Sequence, residues 1–140
     1  MLVEALSYGP ALFSVEILTV LVIGVAVGLV IGAIPGLSPP MAIALMIPIS
    51  FNFPAEQALV MMVGCYAAGI YAGSFSAILL RAPGTSASAA SAIEGFELTK
   101  KGRAVQAIRI STFASVIGGL ISGLVLLFLA PPLAQVALLF

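Results

Sequence analysis

The chain has 140 residues, 62% of them apolar, with five Lys or Arg balanced by five acidic residues. Mean hydropathy is +1.29 and only 7% of residues are charged, where a soluble domain carries roughly 25%, so the surface is built for a bilayer. Zero net charge and no basic arm set nucleic acid aside, and the absence of His and Asp excludes Ser/His hydrolases, His-built metal centres and intramembrane aspartyl proteases.

Met1 to Glu16 mixes Glu, Ser, Tyr, Gly and Pro and, lacking a basic n-region, reads as a terminal or interfacial segment rather than as a secretory signal. The first span is predicted over 17–34, where uncharged residues at 1.5 Å rise cover about 27 Å of the hydrocarbon layer. It ends at Pro35. The run that follows, near 41–53, contains Pro48 and is short for a span. It reads either as a half-membrane, re-entrant helix or as a tilted, Pro-kinked crossing.

A second span is predicted over 55–80, with Pro54 and Glu56 suited to its first turn. Beyond it "RAPGTSASAAS" exchanges branched aliphatics for small and hydroxyl residues. The stretch 94–109 is the one hydrophilic loop and holds Lys100, Lys101, Arg103 and Arg109, so it is expected on the cytoplasmic side. Glu94 and Glu97 read as its solvated face. A last span is predicted over 110–129, closed by Pro131 and Pro132, and the tail "LAQVALLF" reads as the start of a further helix, cut off.

Three segments carry small residues four apart: Gly24, Gly28 and Gly32; Gly69 and Gly73; Ser111, Ser115, Gly119 and Gly123. Between apolar helices in lipid, close approach along such ridges is a main source of packing. Cys65, the single cysteine, reads as a small core residue. The fold expected is all-α: a polytopic helical membrane protein with Pro/Gly-broken or re-entrant helices.

Two similar phrases, "PGLSPPMAIA" from Pro35 and "PGTSASAASA" from Pro83, interrupt the apolar runs. Backbone freed by a helix break cannot face lipid, so it is buried or lines a polar cavity. Paired Pro/Gly interruptions point to a transporter site, where half-helix N-termini face an anion and carbonyls hold a cation. Ser38, Thr85, Ser86 and Ser88 would add hydroxyls there, a chemistry suited to a carboxylate. Arg81 either pairs with that anion or snorkels to the interface. Tyr66 and Tyr71 are cavity hydroxyls or interfacial anchors. A plain surface turn is the competing reading of each phrase.

The stretches "GLVIGAIPGLSPPMAIALMIPISF" and "YAAGIYAGSFSAILLRAPGTSASAASAIEGFELTKKGRA" resemble, in order and spacing over most of 28–104, the N-terminal part of the large membrane subunit of the tripartite tricarboxylate transporters. The resemblance implies that 1–140 is the first third of a transmembrane domain in the bacterial inner membrane. It also implies a secondary carboxylate importer, for citrate or a related organic acid, coupled to an ion gradient and served by an extracytoplasmic solute-binding protein. A small membrane subunit and the rest of the large subunit are implied partners, with a coupling cation, sodium or proton, but no cofactor and no enzyme activity.

The family-like elements fall on Pro35, Gly36 and Leu37, on Gly73 and Ser74, and on Pro83, Gly84 and Thr85. With the hydroxyls above and Arg81, these form the expected substrate site. Ser38, Ala72 and Arg81 depart from the Gly, Gly and Asn that the family pattern carries, and Arg81 changes the charge beside the site. The alternative is a small structural or assembly subunit that packs through its glycine ridges and transports nothing.

Overall fold

The computed structural model describes residues 13–137; most of the N-terminal segment, Met1 to Glu16, therefore lies outside the described residues. Among the described residues, five α-helices and one 3-10 turn follow in order: α1 (Val15–Ala33), α2 (Pro39–Ser50), α3 (Ala55–Leu80), the turn Ser86–Ser88, α4 (Ala89–Lys100) and α5 (Ala104–Ala137). The fold is all-α. Three of the helices, α1, α3 and the stretch 104–133 of α5, are long and apolar enough to cross a membrane.

Helix α1 starts at Ser14, whose hydroxyl accepts the Ile17 N–H at 3.4 Å, and Glu16 in its first turn complements the helix dipole. Its buried stripe is Ile17, Val20, Gly24, Gly28 and Gly32. The glycines lie on the backbone of α3: Gly24 on the Met61 carbonyl, Gly28 on that of Cys65, Gly32 on that of Gly69. A Cβ at Gly28 would come within 2.9 Å of the Cys65 carbonyl carbon, and one at Gly32 within 2.6 Å of Gly69 Cα. Each step of four along α1 matches a step of four along α3, so the two helices run parallel. Gln57 supports the parallel course at the start, its side-chain amide donating to Glu16 at 3.2 Å from one turn beyond the glycine register.

Parallel neighbours require a return segment, and α2 is that segment. Its 12 residues rise about 18 Å, too little to cross a hydrocarbon layer of about 30 Å. Pro39 at its start packs on Gly69, and its end leads through 51–54 to the start of α3. The core lies between these three helices, built from Val20, Ala42, Met46, Met61 and Cys65 with Val27, Ile31 and Phe53 around them. The free thiol of Cys65 is wholly buried there.

Two boundaries differ from the sequence reading. The charged stretch 94–109 is mostly helical: α4 continues to Lys100, Gly102 turns the chain at φ +73°, and α5 begins at Ala104. Charge marks a segment as wet without marking it as a loop; Ala, Glu, Leu and Lys are strong helix formers, and Ala92 and Gly95 give α4 a buried face. Gly95 meets Ile78, where a Cβ would come within 2.7 Å of Cγ1, and the Thr99 hydroxyl donates to the Ile78 carbonyl at 2.8 Å. At the other end α5 runs through Pro131 and Pro132 to Ala137 instead of stopping at 129. Proline within a membrane helix removes donors without forcing the helix to end.

The 3.6-residue period pins α5 only at its beginning. Ala107 is buried, and Thr112 shares a 2.6 Å hydrogen bond with Tyr71. Thr112 already donates to the Ile108 carbonyl at 2.8 Å, so its single hydroxyl proton is committed and Tyr71 is the donor. From Phe113 to Ala130 the helix is exposed, and Gly118, Gly119 and Gly123 have open space where a side chain would stand.

Candidate substrate site at two helix breaks

Both Pro-Gly phrases arrive at the same stretch of α3. From the first, the Pro39 ring lies against Gly69, 3.2 Å from where a Cβ would stand. From the second, Thr85 lies against Gly73, with its Cγ2 3.0 Å from the corresponding point. Gly69 and Gly73 are one helical turn, about 6 Å, apart. Gly84 completes the junction. Its N–H donates to the Gly73 carbonyl at 3.4 Å, and a Cβ there would sit 3.0 Å from Gly73 Cα and 3.1 Å from the Gly32 carbonyl.

The second phrase reaches Gly73 by doubling back. Helix α3 ends at Arg81, which adopts the left-handed conformation at φ 58°; its N–H donates to the Ala77 carbonyl at 3.1 Å and the Ala82 N–H reaches the Ser76 carbonyl at 3.3 Å. The first is the bond of an αL-type helix end. The chain then drops through Pro83 to Gly84, and Thr85 and Ser88 cap the 3-10 turn reciprocally: each hydroxyl accepts the other residue's N–H at 3.2 Å. From there α4 climbs back beside α3 to Ile78. Helix α2 departs from Gly69 toward the start of α3, so α2 and α4 run along α3 in opposite directions.

Of the expected site residues, Gly36, at φ +92°, and Pro35 are exposed, with Leu37 and Ser38 half-buried. Ser38 precedes α2 without a side-chain cap. Pro39 and Pro40 have no N–H, and those of Met41 and Ala42 already donate to the Ser38 carbonyl at 2.9 and 3.3 Å. The first break therefore offers a ligand its dipole and the Ser38 hydroxyl rather than free helix donors. At the second break the Ser86 and Ala87 N–H groups have no acceptor among the described residues. Thr85 and Ser88 use their side chains in the cap. Pro83 and Ser86 are exposed, and Gly84 is the contact described above.

Arg81 stands apart from this junction. Its side chain is exposed, with Cζ 5.9 Å from the centre of the Phe96 ring. Lys100 approaches the same ring at 5.1 Å and bonds Glu97 at 2.8 Å. The hydrogen bond and charge of Lys100, with Arg81 and Lys101 nearby, hold the Glu97 carboxyl below the usual carboxylate range.

Beside the second break, α3, α4 and α5 enclose an open cleft of about 470 Å³. Ser74 and Ser88 line it, as does Tyr71, so of the two tyrosines left open Tyr71 is the cavity residue, while Tyr66 is exposed. Sequence reasoning missed Ser91, Glu94, Ser111 and Ser115 as lining groups. The signal was present in part: Ser111 and Ser115 share one helix face, as do Ser88 and Ser91, but only the fold brings those faces together.

Residues 18–140 match the sequence pattern of the tripartite tricarboxylate transporter TctA family. The chain belongs to that family. It is 42% identical over 118 residues to a protein of Agrobacterium vitis described as an uncharacterized 52.8 kDa protein in the TAR-I ttuC' 3' region. That alignment covers 84% of this chain and 24% of the relative, so the chain spans about a quarter of its relative's length. No solved structure matches.

The geometry gives the TctA-like motifs a physical content. Pro-Gly-Leu at 35–37 and Pro-Gly-Thr at 83–85 are the approaches to the two contacts on α3, and Gly73 is the surface that the second one meets. The Asn of the family pattern at position 81 is the non-glycine residue that tolerates the left-handed conformation best. Arg81 occupies that conformation at an energetic disadvantage and without facing the cleft.

Proposed function

We propose that this chain forms part of the large membrane subunit of a secondary transporter, one that imports a carboxylate such as citrate into a bacterial cell down an ion gradient. An extracytoplasmic solute-binding protein delivers the substrate, and a small membrane subunit and the rest of the large subunit complete the inner-membrane complex. Membership of the TctA family supports the class. One observation carries the site: the 12-residue helix α2 starts against Gly69, the 3-10 turn that leads into the 12-residue α4 starts against Gly73, and α2 and α4 then diverge, so the positive ends of both dipoles lie near one level of α3.

That level lies within the bundle. Gly73 is eight residues, about 12 Å, short of Arg81, and 17 residues, about 26 Å, beyond Glu56. Arg81, Lys100, Lys101 and Arg103 gather where α3 ends, with Arg109 in the first turns of α5. By the positive-inside rule that end is cytoplasmic, and Glu16, Asn52 and Glu56 are extracytoplasmic. A carboxylate released outside by a binding protein thus travels the longer part of α3 before it reaches the breaks.

The test is uptake of radiolabelled citrate by the assembled transporter. A leucine in place of Gly84 drives a side chain into Gly73 and Gly32, whereas one in place of Gly118 enters open space. Gly84→Leu is expected to abolish uptake with normal membrane insertion, and Gly118→Leu to retain it. Normal transport by an inserted Gly84→Leu variant refutes the assignment.

A further inference from the structure

The cleft between α3, α4 and α5 has a chemistry opposite to that of a carboxylate site. Its one charged lining residue is Glu94, and no Lys or Arg lines it. The cations nearest along α4 and at the end of α3 are engaged elsewhere: Lys100 with Glu97 at 2.8 Å and both Lys100 and Arg81 over the Phe96 ring. Among the lining residues an anion finds the carboxylate of Glu94, which is exposed at the mouth of the cleft, and no cation.

The serines of the cleft are a second, separate observation. In these helices Thr19, Ser50, Ser76 and Thr112 each donate to a main-chain carbonyl three or four residues back, at 2.7, 2.7, 3.1 and 2.8 Å. That back-bond is the ordinary fate of a hydroxyl on an apolar helix. Ser74, Ser91, Ser111 and Ser115 make no such bond and have no other hydrogen-bond partner among the described residues, yet all four line the cleft. Their oxygens arrive from three different helices with lone pairs and protons uncommitted.

We propose that the cleft binds a hard monovalent cation, an alkali metal ion, between the Glu94 carboxylate and the hydroxyls of Ser74, Ser91, Ser111 and Ser115. Oxygen ligands select hard cations. A single carboxylate balances a single positive charge, while the neutral hydroxyls replace water without adding charge. At about 470 Å³ the space also holds several waters of about 30 Å³ each, so the ion keeps part of its hydration. Resting on the import reading above, this is the site of the coupling ion. Glu94 and the second break are carried by the same short helix, so an ion that ties α4 to α5 also biases the position of Thr85 against Gly73. By linkage, carboxylate and cation then each raise the other's affinity.

The decisive experiment is direct binding, without carboxylate and without transport, of radioactive sodium and, in a second arm, rubidium to the purified full-length subunit in detergent. Saturable binding of at least one ion is expected. Glu94→Gln should weaken it at least about tenfold, a factor worth about 1.4 kcal/mol. Ser111→Ala and Ser91→Ala should each weaken it several-fold, and Lys100→Ala should leave it unchanged. Circular dichroism and gel filtration report folding, and the two serine variants keep the proposal testable if Glu94→Gln misfolds. No saturable binding of either ion, or wild-type binding by the folded Glu94→Gln or by both folded serine variants, overturns it. Because no substrate is present, failure here leaves the carboxylate import reading standing, and failure of citrate uptake leaves the cation site standing.

Discussion

Replacing Gly28 by Ala isolates the contact on which the bundle rests. An alanine in a helix interior is ordinarily more stable than glycine by about 0.5–1 kcal/mol, because glycine loses more backbone freedom on folding. At Gly28 the added methyl falls on the Cys65 carbonyl and within 2.9 Å of both its carbon and Cα. The obstacle is helix backbone, which no rotamer change removes, so α1 must retreat from α3 by about 0.5–1 Å. A gap of that size forfeits a quarter to a half of each dispersion contact it opens, and overpacking of this kind costs about 1–3 kcal/mol. A net loss of about 1–2 kcal/mol is therefore expected for Gly28→Ala. On α5, Gly119→Ala enters open space and should gain up to about 1 kcal/mol. The two are compared by reversible unfolding of the purified protein in mixed micelles with increasing dodecyl sulfate, followed by far-ultraviolet circular dichroism. If Gly28→Ala proves as stable as Gly119→Ala, the close parallel packing of α1 on α3 is wrong.

Arg81→Asn should be at least as stable as the wild type in the same titration, since relief of left-handed strain of about 1–2 kcal/mol exceeds the exposed contact with Phe96, worth about 0.5–1 kcal/mol; Arg81→Val should be less stable. Thr99→Val removes the donor to the Ile78 carbonyl at 2.8 Å and should cost about 1–2 kcal/mol, with faster amide hydrogen exchange in α4. The lowered Glu97 value means its ion pair with Lys100 is present above the ordinary carboxylate range and lost as pH falls through that lowered value. Carbon NMR of the Glu97 carboxyl should show its titration moving back up toward the ordinary range in Lys100→Gln. A membrane-impermeant maleimide should label Asn52→Cys from outside intact cells and Lys101→Cys only after permeabilisation.

The sequence exposes helices through the absence of charge and exposes breaks through Pro35-Gly36 and Pro83-Gly84, because both signals are local. The partners of the glycine ridge are not legible. Gly24, Gly28 and Gly32 lie on main-chain carbonyls of Met61, Cys65 and Gly69, and a carbonyl is supplied by any residue. The parallel course of α1 and α3 depends on α2 turning back, and a mostly apolar run of 13 residues that contains a proline suits either course. Arg81 shows the opposite difficulty. Its charge is visible in the sequence and suggests an anion partner, while its φ of 58°, which decides its local role, is invisible there. The cleft was the hardest feature to foresee, since Ser74, Ser91, Glu94, Ser111 and Ser115 come together only after α4 has doubled back beside α3.

The account's central claim is that the two breaks open on one substrate path. Single cysteines at Ser38 and Ser86, with the wholly buried Cys65 left in place, can be challenged in the assembled transporter with a charged methanethiosulfonate reagent, with and without saturating citrate. The account predicts that both positions react and that citrate slows both reactions. Unreactive cysteines at both positions, or reaction rates that citrate leaves unchanged, would contradict it.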